Sequence, residues 1–312
     1  MITNSGILVG PLPPPGTCGM IGGLPASQPS WPLIVAHRGA SGHRAEHTLA
    51  AYLLALEQGS DGLECDVRLT RDGHLVCVHD RRIDRTSTGR GAVSALDYPA
   101  LAAHEFGSWH DEFPDSADDL VHRRVADPIE PPEHRRLLTL AELLELVVDF
   151  PRPVQLFVET KHPVRYSGFV EAKLVALLAR YGLARPPSRY DSPVAVMSFS
   201  SRALRRVRAD APALPTVLLV RDLAGRRGDG TLPPWADITG PSVRVVRAHP
   251  GYVERATRCG NPTLCWTVDV PADLDLCREA GVRYVATNRP ASARLHLHPP
   301  TSAPDAAAEA GQ

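Results

Sequence analysis

The sequence predicts an α/β fold, a (β/α)₈ TIM barrel with an insertion after the second strand. Strand-like and helix-like segments alternate along nearly the whole chain and give eight strands, each followed by a helix or a loop. Polar residues stand at the C-terminal ends of several strands, where barrels of this type carry their functional groups. The length of 312 residues suits one large barrel as well as two smaller domains.

Each predicted strand is a short apolar run bounded by polar residues, glycine or proline. In chain order the strands are predicted at residues 33–36, 62–67, 154–159, 194–198, 216–220, 235–239, 263–268 and 282–286. Each predicted helix has apolar residues at helical spacing, and glycines follow several of them. The helices are predicted at residues 48–57, 139–148, 168–181, 201–209, 252–259 and 272–280.

The spacing is irregular in one place, after the second strand. About seventy residues, far more than an ordinary βα loop, separate that strand from the next predicted helix. We predict an insertion at about residues 68–138 that begins with a hairpin turning at Arg71-Asp72-Gly73 and returning over 74–78. A polar, proline-rich region follows at 111–134, and we expect the insertion to lie over the top of the barrel.

The two ends of the chain differ from the predicted barrel at 32–297. Residues 1–31 are rich in glycine and proline and contain no basic residue, so we expect a flexible arm that lacks the charged start of a secretory signal. Residues 298–312 are rich in alanine and proline, carry only acidic charges and predict a disordered tail.

The composition predicts a globular, cytoplasmic protein. Hydrophobic residues make up 43% and charged residues 22% of the chain, and the formal net charge of −1 argues against a nucleic-acid partner. No apolar run reaches the ~18–20 residues of a transmembrane segment. The six cysteines show no metal-binding spacing, which favours free thiols in a reducing compartment.

Two carboxylates in the second predicted strand point to a metal site. Because strand side chains alternate between faces, Glu64 and Asp66 point the same way. Two carboxylates on one buried face repel each other unless a cation lies between them, and a hard divalent cation prefers oxygen ligands. His37 and His79 stand at the ends of neighbouring strands and suit proton transfer near neutral pH. This combination predicts an enzyme.

Several short motifs together resemble one enzyme family, the glycerophosphodiester phosphodiesterases, over residues 32–297. The N-terminal motifs are His37-Arg38-Gly39, Glu46-His47-Thr48, Asp61-Gly62-Leu63-Glu64-Cys65-Asp66-Val67, Thr70-Arg71-Asp72-Gly73 and His79-Asp80. The resemblance continues through Val158-Glu159-Thr160-Lys161, Ser198-Phe199, Trp266-Thr267-Val268 and Thr287-Asn288-Arg289-Pro290. It implies a TIM barrel, one divalent metal ion (Mg²⁺ or Ca²⁺) and hydrolysis of small glycerophosphodiesters to glycerol 3-phosphate and an alcohol.

The resemblance also assigns roles to residues at matching positions. It implies that the metal ligands are Glu64, Asp66 and Glu159. It implies an acid–base pair of His37 and His79. The basic residues that it places around the phosphate are Arg38 and Lys161. Glu46, before a predicted helix, and Phe199 and Trp266, near the ends of predicted strands, are further candidates for the substrate site. The chain departs from the family pattern at His47, where the family usually has asparagine, and at Asn288, where aspartate is common.

The chemistry of a phosphodiester explains why these residue types are needed. Arg38 can contact two phosphate oxygens at once, and Lys161 supplies a compact charge on the same strand face as Glu159. One histidine must be neutral to accept a proton and the other charged to donate one. Two routes remain open at this point: attack by the glycerol 2-hydroxyl to give a cyclic phosphate, or direct attack by water.

Two other functions fit the same predicted barrel. A lysophospholipase D-like enzyme would share the metal site but need an apolar mouth, and the charged segment 111–134 argues against it. A non-catalytic glycerophosphate-binding module would be expected to have lost a histidine or a carboxylate, and none is lost. The sequence does not indicate the head group or an oligomeric state.

Overall fold

The computed structural model describes residues 31–111, 131–189, 191–223 and 226–299. The strands, in chain order, are β1 (Leu33–His37), β2 (Gly62–Leu69), β3 (Leu75–Cys77), β4 (Gln155–Thr160), β5 (Val194–Ser198), β6 (Thr216–Val220), β7 (Ile238–Pro241), β8 (Leu264–Cys265) and β9 (Tyr284–Thr287). The α-helices are α1 (Leu49–Glu57), α2 (Tyr98–Ala102), α3 (Ser108–Asp111), α4 (Leu140–Val148), α5 (Phe169–Arg180), α6 (Ser201–Asp210), α7 (Val243–Ala248), α8 (Gly251–Arg258), α9 (Pro271–Ala280) and α10 (Pro290–Leu297).

Eight of the strands are parallel and form a nearly closed barrel, which confirms the predicted fold class. Their order is β7-β6-β5-β4-β2-β1-β9-β8, and β3 pairs antiparallel with β2 outside this series. The open ends of the series meet through two isolated parallel bridges, Thr239 with Thr263 and Ser242 with Trp266. The C-terminal ends of all eight parallel strands therefore face the same mouth.

The alternation of side chains along the strands separates two layers of the core. In the interior of the barrel, one apolar cluster includes Val35, Phe157, Met197, Val217 and Leu219. Intervening residues of β2, β4 and β5 face outward and pack with α1, α4 and α5 in the largest cluster. Because side chains alternate between the two faces of a strand, polar residues two positions beyond the inward-facing apolar residues point into the mouth.

The chain between β2 and α4 begins with the expected hairpin. β3 returns along β2, and Gly73 in the turn has a φ of 87°, a conformation that favours glycine. The following segment has an apolar cluster of its own, built by Val76, Val78, Ile83, Val93, Leu101, Phe106 and Leu137. Most of the polar region predicted at 111–134 lies outside the described residues.

Several features differ from the sequence prediction. The strand predicted at 235–239 is found at Ile238–Pro241, and the strand predicted at 263–268 is limited to Leu264–Cys265. Helices α2 and α3 of the insertion were not predicted. Helix α7 was not predicted, since its three valines favour strand as much as helix. Helix α10 was also missed, although a proline at its first position is typical of a helix start.

The sequence also makes predictions about the two ends of the chain and about transmembrane segments. The arm predicted at 1–31 and the tail predicted at 298–312 lie almost wholly outside the described residues. None of the helices in the described part of the chain has the length and hydropathy needed to cross a lipid bilayer.

Candidate active site

Three carboxylates from two adjacent strands meet in the mouth of the barrel. Glu64 and Asp66 lie on β2, and Glu159 lies on β4 in register with Asp66. One carboxylate oxygen from each lies within 4.8 Å of the others, and all three side chains are buried. The intervening residues Leu63 and Cys65 pack in the outer core, as the strand alternation predicts.

The electrostatics of this acidic cluster favour a bound cation. Burial, with the charge of Asp66 next, raises the pKa of Glu64 well above its ordinary range and that of Glu159 to about 7. One buried oxygen, Glu64 Oε1, has no hydrogen-bond partner in the described structure, and Asp66 Oδ1 is contacted by the ammonium group of Lys161 at 3.2 Å. Buried carboxylate oxygens that lack a donor are costly, and three converging oxygen donors are the ligand type that Mg²⁺ and Ca²⁺ prefer. The residues present therefore fit a divalent metal ion.

Three basic side chains converge on Asp66. Arg38 Nε lies 3.1 Å and His47 Nε2 2.9 Å from Asp66 Oδ2, and Lys161 Nζ lies 3.2 Å from Oδ1. Burial opposes the charge of Asp66, but the His47 hydrogen bond and the charges of Lys161 and Arg38 hold its pKa well below the ordinary range. Lys161 also pairs with Glu159 at 2.8 Å, as its position two residues further along the strand predicts.

Two residues with left-handed backbone bring these groups together. Arg38 has a φ of 59° and His47 a φ of 62°, and the His47 amide donates to the Arg38 carbonyl at 3.1 Å. The Arg38 amide donates to Glu64 Oε2 at 2.9 Å, so the turn after β1 contacts the acidic cluster through its main chain as well. Such strained conformations in non-glycine residues are concentrated at functional sites.

His47 has a closer relation to the site than its sequence context indicated. It is 4% exposed and bridges Asp66 to the Tyr52 hydroxyl, which lies 2.8 Å from Nδ1. Tyr52 in turn donates to the Glu64 carbonyl at 3.1 Å. The available signal was the replacement of the family's usual asparagine by histidine.

His37 is held by a neutral partner at the end of β1. Its Nδ1 lies 2.8 Å from Asn288 Oδ1, and the Asn288 amide group donates through Nδ2 to Asp269 at 2.7 Å. Because this fixes the Asn288 oxygen toward His37, Nδ1 must donate, and Nε2 keeps its lone pair in the neutral ring. Burial and the charge of Arg38 lower the pKa of His37 to about 3.

His79 is held by a charged partner beyond β3. Its Nδ1 lies 2.7 Å from Asp80 Oδ1. Burial lowers the pKa of His79, while the charges of Asp66 and Asp80 act in the opposite direction. The two predicted histidines therefore share a tautomer but differ in their partner, an amide for His37 and a carboxylate for His79.

An arginine that the sequence prediction missed connects both sides of the site. Arg85 donates to both oxygens of Glu46, at 2.6 and 3.0 Å, and to Asp80 at 2.7 Å. Glu46 also pairs with Arg38 at 3.2 Å. Burial opposes the charge of Glu46, but Arg85 and Arg38 lower its pKa to about 2. Nothing in the sequence separates Arg85 from the other arginines nearby, because its partners lie up to 39 residues away.

The two predicted aromatic residues contact each other at the mouth of the barrel. Phe199 follows β5 and Trp266 follows β8, and their rings meet edge to face with centroids 5.4 Å apart. Trp266 Nε1 donates to the Gly240 carbonyl at 2.7 Å, which fixes its ring. Phe199 is 36% exposed, so this pair presents an apolar wall to the mouth rather than closing it.

The fold and this arrangement define a class of protein, a TIM barrel with three buried carboxylates clustered at its C-terminal mouth. The Glycerophosphoryl diester phosphodiesterase family matches this chain over residues 37–292. The chain belongs to this family of enzymes.

Individual relatives agree with the family assignment. The chain is 49% identical to a Mycobacterium tuberculosis protein named "Probable glycerophosphodiester phosphodiesterase 1" over 266 residues, which make up 85% of this chain and 92% of the relative. It is 31% identical to a glycerophosphodiester phosphodiesterase of Bacillus subtilis over 272 residues, 83% of this chain and 84% of the relative.

Solved structures share the fold. A glycerophosphodiester phosphodiesterase from Agrobacterium tumefaciens superposes with a TM-score of 0.64 at 25% identity and covers 83% of this chain and 97% of its own. An Oleispira antarctica phosphodiesterase, solved in complex with the product sn-glycerol-3-phosphate, has a TM-score of 0.68 at 22% identity over 86% of this chain and 97% of its own.

Proposed function

We propose that this chain hydrolyses small glycerophosphodiesters to sn-glycerol 3-phosphate and an alcohol in the cytoplasm. The observation that carries the proposal is the buried group of Glu64, Asp66 and Glu159, whose oxygens converge within 4.8 Å, together with two histidines whose Nδ1 atoms have different partners. The sn-glycerol-3-phosphate bound to the Oleispira antarctica protein supports the product. The five described cysteines are free, which agrees with a reducing compartment.

The acidic cluster and its basic neighbours would bind the phosphate. Glu64, Asp66 and Glu159 would hold one Mg²⁺ or Ca²⁺, which when bound withdraws charge from a phosphate oxygen. Arg38 and Lys161 now pair with Asp66, so a bound cation would compete with them for its oxygens. Their side chains would then be free to contact the remaining phosphate oxygens.

The two histidines would divide the proton transfers. His37 is neutral in the physiological range, and its Nε2 has a lone pair, so it would accept the proton of the attacking hydroxyl or water. His79 donates Nδ1–H to Asp80, whose charge favours the imidazolium form, so it would protonate the departing alcohol. Arg85 would orient Asp80 for this role, and Glu46 would orient Arg38.

The aromatic wall would complete the substrate site. Phe199 and Trp266 would offer a ring edge and a ring face to the carbon skeleton of the glycerol moiety. No described helix supplies a membrane span.

Metal removal tests the proposal. Excess chelator should abolish hydrolysis of glycerophosphodiesters, and Mg²⁺ or Ca²⁺ should restore it. Each of the substitutions Glu64→Gln, Asp66→Asn and Glu159→Gln should weaken metal binding, measured by calorimetry, together with kcat/KM, because each removes one anionic ligand. Glu145→Gln, on the outer helix α4, is the control and should change neither. Full activity in chelator would refute the metal site.

A further inference from the structure

A groove next to the proposed active site has arginines on its walls and no carboxylate. It runs between the insertion and the loop after β4 and is lined by Arg68, Leu69, Arg81, Val93, Ser94, Pro163, Val164, Arg165, Tyr166 and Val170. The Tyr166 hydroxyl donates to the Ser94 carbonyl at 2.8 Å and ties the two walls together. The floor of the groove is apolar, because Leu69, Val93 and Val170 are buried.

Two arginines of this groove are available to an anion. Within the described residues, neither Arg81 nor Arg165 forms an ion pair, and the guanidinium carbon of Arg165 lies 5.6 Å from the centroid of Tyr166. Arg82, next in the chain to Arg81, does pair with Asp84 at 3.0 Å. Arg81 and Arg165 are both exposed, so an anion that enters the groove can form charge-assisted hydrogen bonds with them.

The groove lies next to the main chain of the proposed general acid. Arg68 donates from Nε and Nη2 to the His79 carbonyl, at 3.0 and 2.8 Å. If His79 protonates the departing alcohol, that alcohol must lie on this side of the phosphate, and its far end would point along the groove. The glycerol half would then lie toward Phe199 and Trp266.

We propose that this groove binds the head group of the substrate and selects glycerophosphodiesters whose alcohol carries a negative charge. Arg81 and Arg165 contact the anionic group, and the apolar floor holds the carbon chain that leads to it. This inference rests on the proposed function, since it uses His79 as the residue that defines the leaving-group side.

Three diesters of similar size test the selection. Glycerol 3-phosphate is esterified with glycolate, ethylene glycol or ethanolamine, so that the head group is anionic, neutral or cationic. The Arg81→Gln/Arg165→Gln variant should reduce the ratio of kcat/KM for the anionic over the cationic diester on the order of tenfold, since two charge-assisted contacts are lost. The difference in leaving-group chemistry cancels when variant and wild type are compared.

The Arg82→Gln/Arg258→Gln variant is the matched control. It removes the same number of charges, but Arg82 is paired with Asp84 and Arg258 lies at the end of α8, on the far side of the barrel. Its ratio should equal that of the wild type. Rising salt should lower the preference of the wild type for the anionic diester and leave the groove variant nearly unchanged.

The outcomes separate the groove from the proposed function. An unchanged ratio in an active Arg81→Gln/Arg165→Gln variant, or an equal loss for all three diesters, overturns the inference and leaves the hydrolase proposal standing. Absence of turnover of any diester by metal-loaded wild type overturns the hydrolase proposal. In that case, calorimetry still measures the charge preference of the groove. The three diesters are titrated into the His37→Ala variant, with and without the Arg81→Gln/Arg165→Gln substitutions.

Discussion

At the scale of single residues, the two histidines differ because of one atom in each partner. Asn288 presents a neutral oxygen to His37, and Asp80 presents a carboxylate oxygen to His79, at nearly the same distance of 2.8 and 2.7 Å. A carboxylate stabilises an imidazolium, whereas an amide oxygen does so only weakly. Since the two contacts have nearly the same length, the proposed difference between the roles of His37 and His79 follows from the identity of the partner side chain.

The Asp80→Asn substitution tests this division. Loss of the Asp80 charge lowers the pKa of His79 further, so its protonated form disappears at a lower pH. The falling alkaline limb of kcat/KM should move down by about one pH unit, within the range expected for an adjacent carboxylate. The pH profile of kcat/KM and the NMR titration of the His79 ring measure the shift.

Asp84→Asn is the control for this experiment. Asp84 is an exposed aspartate of the same segment that pairs with Arg82 and does not contact His79. Its variant should keep the wild-type profile. An alkaline limb that stays in place in Asp80→Asn, or moves to higher pH, would mean that His79 is not the acid.

At the scale of secondary-structure elements, the sequence predicted what depends on local periodicity. The alternation in β2 placed Glu64 and Asp66 on one face, and the two-residue step placed Lys161 beside Glu159. The contacts that it missed join distant parts of the chain, such as His37 with Asn288, 251 residues apart. No local pattern encodes such a contact, because it forms only when β1 and β9 pair to close the barrel.

The insertion behaves as an element with its own core. Its apolar cluster is separate from the barrel clusters, and it carries His79, Asp80 and Arg85 into the site. The contacts of the proposed acid His79 with Asp80, and of Asp80 with Arg85, therefore depend on the stability of the insertion rather than on that of the barrel.

The Leu101→Ala substitution should loosen this unit alone. Leu101 is fully buried in the insertion cluster, and truncation of a buried leucine costs about 2–5 kcal/mol. Hydrogen exchange should accelerate across residues 79–106 and kcat should fall, while metal binding at β2 and β4 is retained. Leu143→Ala, on the buried face of α4 in the main core, should instead destabilise the barrel as a whole. Uniform exchange in both variants would contradict an independent insertion.

At the scale of the whole molecule, the barrel is uneven around its circumference. β2 and β4 pair along Gly62–Val67 and Gln155–Thr160, whereas β8 spans only Leu264–Cys265 and joins β7 through isolated bridges. The acidic cluster stands on the well-paired side, where its like charges are held at fixed distances. The stability of the fold therefore offsets the mutual repulsion of the three carboxylates.

The Glu159→Gln substitution measures this cost. A carboxyl whose pKa is raised on folding destabilises the folded state at a pH above its ordinary value, and the shift of Glu159 from 4.5 to about 7 corresponds to about 3 kcal/mol. In chelator, the variant should be more stable than the wild type by about this amount at pH 8. The difference should shrink as the pH falls through 7 and vanish below 4.5, where the carboxyl is protonated in both states. Denaturant unfolding across this pH range measures this difference in stability.

Added Mg²⁺ should stabilise the wild type more than the variant and reverse their order of stability. Glu171→Gln is the matched control, because Glu171 is equally buried but paired with His162 and Arg206, so its neutralisation should destabilise the fold. A Glu159→Gln protein that is less stable than the wild type in chelator at pH 8 would show that the acidic cluster carries no such strain.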